Sequence, residues 1–428
     1  MKKSLSNGLL VGCLMITWLV PSVWAQAIPT AATSTPVASL ESLAEGNNAF
    51  GMDLFHRLGQ SVANDKNLVF SPYSISTALA MAWTGARNNT AAQMEQVLHL
   101  TGDQQTIGDG FHQMRDSLEN AGKNGGFDLS IANSLWLQND YPFLQPFLDG
   151  LKNDFNAPPN LVNFKTGVEA VRGQINQWVE DKTHQKIKDL IPSGALDPRV
   201  TRMVLVNAVY FKADWQNAFK PEVTQQLPFH YSADNSAPVS MMAQQQYFQI
   251  AEDDRTQVLE LPYKGNQFSM VVILPKDEMD LPALEQNLNL DTLNTWLSKM
   301  CSKEVQVKLP KFKFTYGTVY LNAFLSKMGI TDAFNEQVAD FSGMIAPEQE
   351  HLHISQVVHK AFVNVDEKGT EAAAATSVIM AIPLCMPMNP RPLPIVFNAD
   401  HPFLFLIRDN QTHSILFIGR VADPRAES

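Results

Sequence analysis

Histidine and cysteine side chains are the first residues here whose types and spacing could do chemistry. His351 and His353 have the spacing that places two imidazoles on one face of a strand, and His359 lies on the same alternation. A zinc site needs a third ligand, and the sequence does not point to one. We therefore predict no metal site and interpret the histidines as ordinary polar residues. Cys301 and Cys385 are expected to be free thiols.

Enzyme signatures are absent from the sequence. It contains no GxSxG, SxxK, HExxH or CxxC pattern, no Walker loop and no GxGxxG. Nucleophilic, metal-assisted and nucleotide-dependent enzymes often carry one of these patterns. Their absence weakens an enzyme interpretation without excluding one, and our expectation is a protein that is not an enzyme and needs no cofactor.

Residues 367–394, EKGTEAAAATSVIMAIPLCMPMNPRPLP, combine features of different elements. The Glu-Ala run up to Ala375 has the composition of a helix, yet it follows Gly369 and leads into the β-branched pair Val378-Ile379. The prolines that follow are not tolerated by any regular element. The stretch therefore needs an explanation other than a helix.

Composition indicates a large core and excludes one class of partner. The chain has 428 residues, of which 45% are apolar and 18% charged, which is ample for a sizeable core. Its formal charge is −11 at pH 7, without a cluster of basic residues. We therefore expect no nucleic-acid surface and no heparin-type site.

The N-terminus has the pattern of a targeting segment. Lys2 and Lys3 precede the apolar run Leu9–Val20, and small residues follow up to Ala25. This pattern predicts a signal peptide over residues 1–25 and a secreted protein, either periplasmic or extracellular.

A lipid anchor is not expected. Leu10-Val-Gly-Cys13 resembles a lipoprotein box, but it lies inside the apolar run rather than after it. Residues 26–46, rich in Ala, Thr, Ser and Pro, are typical of a flexible linker. No later linker interrupts the chain, so one folded domain is predicted over residues 47–424.

Helical patterns dominate the first part of this domain and strand patterns the second. Capping signals predict helices that begin at Asn47-Asn48, Ser71-Pro72 and Thr90, and further helices near Ile107–Glu119, Val168–Thr183, Leu281–Lys299 and Leu321–Gly329. Strands are predicted at Phe127–Leu137, Arg202–Trp215, Phe268–Leu274, Val305–Phe314, His353–Asp366, Phe403–Ile407 and Ile415–Val421. This order indicates an α+β fold with large, mostly antiparallel sheets.

Six segments, in family order, resemble the serpin family of protease inhibitors. They are Asn67-Leu-Val-Phe-Ser-Pro-Tyr-Ser-Ile-Ser76, Asn207-Ala-Val-Tyr-Phe-Lys212 with Trp215, Leu309-Pro-Lys-Phe312, Val358-His-Lys-Ala361, Glu367-Lys-Gly-Thr-Glu-Ala-Ala-Ala-Ala-Thr376, and His401-Pro-Phe-Leu-Phe405 with Phe417-Ile-Gly-Arg-Val421. Ala213 replaces a glycine that is common in the second segment. The resemblance implies three β-sheets, eight or nine helices and an exposed reactive-centre loop at about 367–394. Together with the N-terminal segment, it leads us to expect an exported member of bacterial type.

A serpin-like loop must exist both as an exposed segment and as a strand inserted into a sheet. If Thr370 faces inward, alternation buries an uncharged set and leaves the charge of Glu371 outside. The inward set is Thr370, Ala372, Ala374, Thr376, Val378 and Met380. A register shifted by one residue would bury Glu371 at a cost of several kcal/mol. The hinge residues implied by the resemblance are Glu367, Gly369, Thr370, Ala372, Ala373, Ala374 and Ala375.

The bond that a protease would cut follows from two filters. Family spacing points to Pro383, but proline is poorly accepted by most serine proteases, as are residues that precede a proline. Leu384-Cys385 passes both filters, Met380-Ala381 is the second choice and Cys385-Met386 the third. An apolar Leu384 suits chymotrypsin-like, elastase-like or subtilisin-like serine proteases, or papain-like cysteine proteases.

Two groups of residues should support insertion. The resemblance pairs Glu367 with Lys311 above Trp215 at the top of the main sheet, a region called the breach. It also places Ser71, Ser74, Asn207 and His359 in a polar cluster under the opening sheet, called the shutter. Ser71 is equally explained as a helix cap.

The sequence therefore predicts a monomeric protease inhibitor that acts as a suicide substrate. A protease would cleave the loop, form an acyl-enzyme and be trapped as the loop inserts. Two alternatives stay open: a non-inhibitory serpin with a binding or chaperone-like role, and a substrate that is cut without trapping.

Overall fold

The computed structural model describes residues 40–124, 127–232, 234–346, 352–370 and 393–425. Nine α-helices lie in this part of the chain: α1 (Leu40–Ser61), α2 (Pro72–Trp83), α3 (Asn88–Val97), α4 (Gln104–Asn124), α5 (Gln145–Phe155), α6 (Phe164–Lys182), α7 (Leu281–Asn287), α8 (Leu290–Lys299) and α9 (Asn322–Met328). The strands are β1 (Leu68–Phe70), β2 (Phe127–Gln138), β3 (Asn160–Val162), β4 (Met203–Asp214), β5 (Gln225–Ser232), β6 (Asn235–Glu252), β7 (Thr256–Pro262), β8 (Phe268–Pro275), β9 (Cys301–Pro310), β10 (Phe312–Tyr320), β11 (Gln356–Val365), β12 (Gly369–Thr370), β13 (Ile395–Asn398), β14 (Phe403–Asp409) and β15 (Ile415–Val421).

One sheet has six strands in the order β10, β11, β12, β4, β2, β3. Its centre is β4, which is antiparallel to β2 and parallel to β11. Since β4 and β11 are parallel, no hairpin can join them, and they come from distant parts of the chain. The pairing of β4 with β11 therefore joins two halves of the sheet that come from separate segments of the chain.

The other sheet has nine strands. Its long strand β6 explains why the structure contains two hydrogen-bonded sheets where three were expected. Its path is β1, β15, β14, β8, β7, β6, β9 and β13, with β5 paired to β6. The 18-residue β6 pairs with β5 and β9 over part of its length and with β7 at its other end. One long strand thus joins two regions that would otherwise count as separate sheets. The predicted α+β fold and helix number are confirmed.

Both faces of the six-stranded sheet are covered. Met203, Leu205 and Val209 of β4 face the main core, which also contains side chains of α1, α2 and the nine-stranded sheet. The alternate residues Val204 and Val206 face a second core beneath α6. This explains why β4 is apolar almost throughout, as expected for a central strand buried on both sides.

Two predicted helix starts are wrong. Helix α1 begins at Leu40 instead of Asn47, because Leu43 and Ala44 pack into the core, so residues 40–46 are helical and not part of a linker. Helix α3 begins at Asn88, and the Thr90 hydroxyl accepts a hydrogen bond from the Asp340 amide at 3.0 Å. The Thr90 side chain therefore makes a tertiary contact and does not form a capping box.

Two predicted elements are divided in the structure. The strand expected over Val305–Phe314 is interrupted at Lys311, where the chain passes from the nine-stranded sheet into the six-stranded one. The helix expected over Leu281–Lys299 is interrupted before Asn289, whose side chain caps α8 by accepting from the Thr292 amide at 2.9 Å. Among the described residues, no helix is long and apolar enough to cross a membrane.

Candidate functional site

The candidate site is the seam between β4 and β11. The two strands pair directly from Gln356 with Val204 to Phe362 with Tyr210. Beyond that point they diverge and β12 lies between them: Thr370 pairs with Val365 on one side and with Ala213 on the other. The seam is therefore closed along most of its length and open at one end, where a third strand has begun.

Gly369 is required by this close approach. A Cβ atom at position 369 would lie 1.9 Å from the carbonyl oxygen of Ala213 and 2.7 Å from the Cα of Asp214. No real side chain tolerates such distances, so only glycine lets the chain turn into the seam here.

Thr370 is the first residue of this segment whose side chain enters the core. It is 1% exposed, and its hydroxyl lies 2.6 Å from the hydroxyl of Tyr263. The Tyr263 ring stacks on Trp215 with centroids 4.6 Å apart. Burial raises the pKa of Tyr263, against the opposing effect of its hydrogen bond with Thr370, so the phenol stays protonated. Trp215 in turn donates from Nε1 to the Asp366 carbonyl at 3.0 Å and closes the turn from below.

The ion pair predicted between Glu367 and Lys311 is present at the same end of the seam. Lys311 Nζ lies 2.7 Å from Glu367 Oε2, and Thr224 donates to Oε1 at 2.9 Å. The Glu367 side chain is only 11% exposed. Burial opposes its ionisation, but the hydrogen bonds, above all the one from Lys311, outweigh burial and lower the pKa of Glu367. Because Lys311 joins β9 to β10, the pair ties the loop base to the junction between the sheets.

The four predicted shutter residues are brought together under the middle of the seam. His359 and Asn207 are register partners across it, and the His359 Nδ1–H donates to Asn207 Oδ1. His359 Nε2 accepts from the Ser71 amide, and the Asn207 amide donates to Ser74 Oγ. Ser71 also caps α2 by accepting from the Ser74 amide at 3.1 Å. Ser71 therefore caps α2 and also contacts His359 in this polar cluster.

His359 is neutral in this cluster. The ring is fully buried, and burial lowers its pKa to about 3. Each nitrogen already has a partner, one as donor and one as acceptor, so a second ring proton would remove an acceptor that Ser71 uses.

Several predicted residues lie outside the described part of the chain. These are the proposed cleavage positions Leu384, Cys385, Met380 and Ala381, the hinge residues Ala372, Ala373, Ala374 and Ala375, and His351. Cys301 is an exposed free thiol at the start of β9. Among the described residues, no group of histidine, cysteine, aspartate and glutamate side chains could hold a metal ion.

Two site residues were missed from sequence. Asn133 accepts from both Ser74 and Asn207 and completes the shutter. Its position as a polar residue in the apolar alternation of β2 was a usable signal. Tyr263 follows β7, a strand that was not predicted, so no signal for it existed.

Comparison with known proteins agrees with this geometry. Residues 45–424 match the family described as "Serpin (serine protease inhibitor)". Serpin B6 of Pongo abelii is 41% identical over 391 residues, which cover 90% of this chain and 100% of the relative. Human leukocyte elastase inhibitor is 39% identical over 393 residues with the same coverage.

Solved structures give the same result. Uncleaved ovalbumin superimposes with a TM-score of 0.78 at 33% identity, over 90% of this chain and 100% of ovalbumin. Serpin48, a highly specific serpin of the insect Tenebrio molitor, has a TM-score of 0.77 at 31% identity, over 90% of this chain and 98% of Serpin48.

The relatives correct two predictions from the N-terminus. Serpin B6, Serpin B10 and leukocyte elastase inhibitor are intracellular serpins, which contradicts the expected secretion. They also come from eukaryotes, so the expected bacterial type is not supported. Both predictions relied on residues before Leu40, outside the described chain. The family match over residues 45–424, the identity to complete relatives and the shared fold establish that the chain belongs to the serpin family, a family of protease inhibitors.

Proposed function

We propose that the protein inhibits a protease as a suicide substrate. The protease nucleophile attacks the carbonyl carbon of Leu384, the amide to Cys385 breaks, and the new amine at Cys385 leaves as the acyl-enzyme forms. Residues Thr370–Met380 then insert between β4 and β11 and carry the acylated protease across the molecule. Met380-Ala381 is the second candidate bond.

The observation that carries this proposal is the position of Thr370 between Val365 and Ala213. The loop needs no search for its binding site, since its first two residues already form a strand antiparallel to both neighbours. Insertion then means extending β12, which exchanges the direct β4 to β11 hydrogen bonds for two new ladders.

Register shows what each loop residue would meet. Continuing β12 places Ala372 level with Phe211 and Val363, and Ala374 level with Val209 and Ala361. All four of these neighbours face the main core. Because Thr370 faces inward, insertion would place the alternate, uncharged residues of the loop in apolar surroundings, as proposed from sequence.

The same register places Thr376 level with both Asn207 and His359. These two residues hydrogen-bond to each other across the closed seam. Insertion separates them, and a hydroxyl arriving between them can donate and accept in their place. The buried polar groups of the shutter would thus stay satisfied in both states.

The proposed target is a protease that accepts an apolar residue at the cleaved bond. Leu384 fits chymotrypsin-like, elastase-like, subtilisin-like and papain-like enzymes. Human leukocyte elastase inhibitor, by its name, acts on an elastase, which supports the elastase-like choice.

The test is incubation with chymotrypsin, elastase, subtilisin and papain, followed by denaturing gels and mass spectrometry. We expect a covalent complex with at least one protease and a released C-terminal peptide that begins at Cys385. Cleavage without a complex would show a simple substrate. If there is no cleavage and no complex, the non-inhibitory alternative is favoured. A binding role of that kind is compatible with the relative human thyroxine-binding globulin, which is solved with thyroxine bound.

A further inference from the structure

The connection between β13 and β14 lies at the C-terminal end of the loop. We call residues 399–402, which form this connection, the anchor turn. β13 lies at the edge of the nine-stranded sheet and pairs with β9 through four parallel register pairs, from Ile395 with Val305 to Asn398 with Lys308. Four parallel pairs at a sheet edge are a weak attachment. The position of β13 therefore depends on what holds the anchor turn.

Backbone hydrogen bonds tie the anchor turn to two neighbouring strands. The Ala399 amide donates to the Lys308 carbonyl of β9 at 3.0 Å. The His230 amide of β5 donates to the Asp400 carbonyl at 2.7 Å. Contact with a third strand, β8, is made by the side chain of His401.

His401 lies between two hydrogen-bond acceptors. Its Nε2 is 2.7 Å from the carbonyl oxygen of Pro275, the last residue of β8, and its Nδ1 is 2.9 Å from Asp400 Oδ1. The second carboxylate oxygen of Asp400 accepts from the side-chain amide of Asn398, the last residue of β13. A carbonyl and an ionised carboxylate have no proton to give. Both hydrogen bonds of the ring can therefore form only when both ring nitrogens donate.

Burial makes the alternative costly. The whole His401 residue is 5% exposed. A neutral ring would keep one proton and turn a bare nitrogen toward one of the two oxygens, which would leave a buried acceptor unsatisfied. His359 of the shutter is also buried, but one of its two partners is the donating Ser71 amide. The two buried histidines thus differ in the chemistry of their partners.

The polar contacts form one continuous path from β8 to β13. It runs from the Pro275 carbonyl through the His401 ring and the Asp400 carboxylate to the Asn398 side chain. A charge on the ring strengthens both of its hydrogen bonds, since bonds that involve ionised groups are the stronger ones. Loss of that charge would break the path at one of the two ring nitrogens.

We infer that His401 is a positioning residue, held as an imidazolium, that fixes β13 and with it the C-terminal end of the loop. The inference deepens the proposed function and rests on it for its biological meaning, because a loop that presents Leu384 to a protease must be held at both Thr370 and Ile395. The charge on the ring is a property of the uncleaved protein and can be measured without a protease.

Other charged groups near the anchor turn must be separated from the buried ring. The His230 ring on β5 is 3.8 Å from the Glu278 carboxylate, and Lys276, just beyond β8, is 3.4 Å from Glu252. These four side chains are between 36% and 49% exposed, so their pairs are weak and screened by salt. Lys308 of β9 meets the turn through its backbone carbonyl. His230 is therefore the titratable group that needs a control.

The first test is nitrogen NMR of the histidine rings in the full chain at pH 7. We expect two protonated nitrogens in His401. Asp400→Asn is the matched variant, because its amide can donate to Nδ1 of a neutral ring while its oxygen still accepts from Asn398. We expect a neutral His401 ring in that variant. A bare ring nitrogen in His401 of the natural protein at pH 7 would overturn the inference.

The second test measures positioning by hydrogen exchange of the β13 amides, expressed as protection relative to the unfolded chain. Across the pH at which NMR shows the His401 ring losing its second proton, we expect the protection of Ile395–Asn398 to fall about tenfold, as for the loss of one hydrogen bond to a charged group. Asp400→Asn should show no such fall, and His230→Gln should retain it. Amides of the β14 and β15 ladder should be unchanged.

Rescue by a second cation separates charge from packing. His401→Gln, which cannot carry a charge, should be about tenfold less protected in β13 at pH 7. His401→Lys, which restores a positive charge, should regain most of this protection at every pH. Equal protection in the glutamine variant and the natural protein would overturn the positioning role. If the His401 variants do not fold, the pH dependence in the natural protein and in His230→Gln decides.

Protection that stays constant while the ring loses its proton, or that loses its pH dependence in His230→Gln, would also overturn the inference. The two proposals remain separable. A charged ring with pH-dependent protection, but without any covalent protease complex, would refute inhibition and keep the role of His401. Covalent complexes together with constant β13 protection would refute the role of His401 alone.

Discussion

The hydroxyl of Thr370 lies 2.6 Å from the hydroxyl of Tyr263 in the core. Thr370 itself lies between β4 and β11 of the six-stranded sheet. The base of the loop is therefore already an interior strand residue in the uncleaved protein. Any substitution that position 370 cannot bury should block the next step without affecting the cleavage bond.

Thr370→Arg should convert the inhibitor into a substrate. A guanidinium beside Ala213 and Val365 would be buried without a partner, at a cost of several kcal/mol. We expect loop cleavage at a normal rate with loss of the covalent complex on denaturing gels. Thr370→Ser, which keeps the hydroxyl, should behave like the natural protein. Trapping by the arginine variant at its original efficiency would contradict the inward register.

Outward residues can be tested by charge reversal. Continuing β12 by one residue places position 371 level with Lys212 and Asn364. In the inserted form the Glu371 carboxylate then lies beside the partly exposed Lys212, and such a pair is worth about 1 kcal/mol or less. Glu371→Lys should lower the melting temperature of the cleaved protein but not of the uncleaved one.

Adding Lys212→Glu to that variant supplies the control. The difference in melting temperature between the cleaved and uncleaved double variant should return toward that of the natural protein. Absence of this rescue would mean that position 371 does not meet Lys212, and that the register is different.

The ion pair at the loop base should stabilise the uncleaved protein. Lys311→Met leaves the Glu367 carboxylate nearly buried without its cation, which costs about 1–3 kcal/mol. The variant should melt a few degrees lower at pH 7. Because the pKa of Glu367 is lowered in the folded protein, its contribution is present above the unfolded pKa near 4.5 and is lost as pH falls through the folded value.

The difference between Lys311→Met and the natural protein should therefore shrink in acid. Lys313→Met, with an exposed side chain two residues further on in β10, should show no such difference at either pH. A Lys311→Met effect that is equal at pH 7 and pH 3 would show that the lost interaction is packing and not charge.

His359 should make the shutter sensitive to acid. The pKa of His359 falls from 6.5 to about 3 on folding because of burial. Below pH 6.5 this histidine is therefore protonated in the unfolded chain but stays neutral in the folded protein. The contribution of neutral His359 to the free energy of unfolding is fully present above pH 6.5. It declines by about 1.4 kcal/mol per pH unit as pH falls toward 3. Urea midpoints between pH 7 and pH 4 measure this decline.

His359→Gln should lower the midpoint at pH 7 but flatten its decline between pH 6.5 and 4. The exposed His413 provides a matched control, and His413→Gln should retain the natural profile. An equally steep decline in His359→Gln would assign the acid sensitivity to carboxylates elsewhere.

The sequence predicted those parts of the fold that have strong local signals. Ser71-Pro72 marks a helix start by capping, and β4 is apolar on both faces, so both were found. β6 was missed because its residues 235–252 carry polar residues without regular alternation, and long-range pairing with β9 decides its structure. The start of α1 depends on tertiary packing of Leu43, which composition does not show.

The site was predicted in part for the same reason. The parity of Thr370 follows from the single charge at Glu371, which local alternation assigns to the outer face. Tyr263 and Thr370 are 107 residues apart, and Ser74 and Asn133 are 59 apart, so these contacts have no local signature.

The most direct test of loop insertion is the melting temperature of the protein before and after cleavage within residues 380–386 by a protease that is not trapped. Insertion adds roughly ten ladder hydrogen bonds and apolar burial, on the order of 10 kcal/mol or more, so we expect a rise of about 20 °C. An unchanged melting temperature in the cleaved protein would contradict the account.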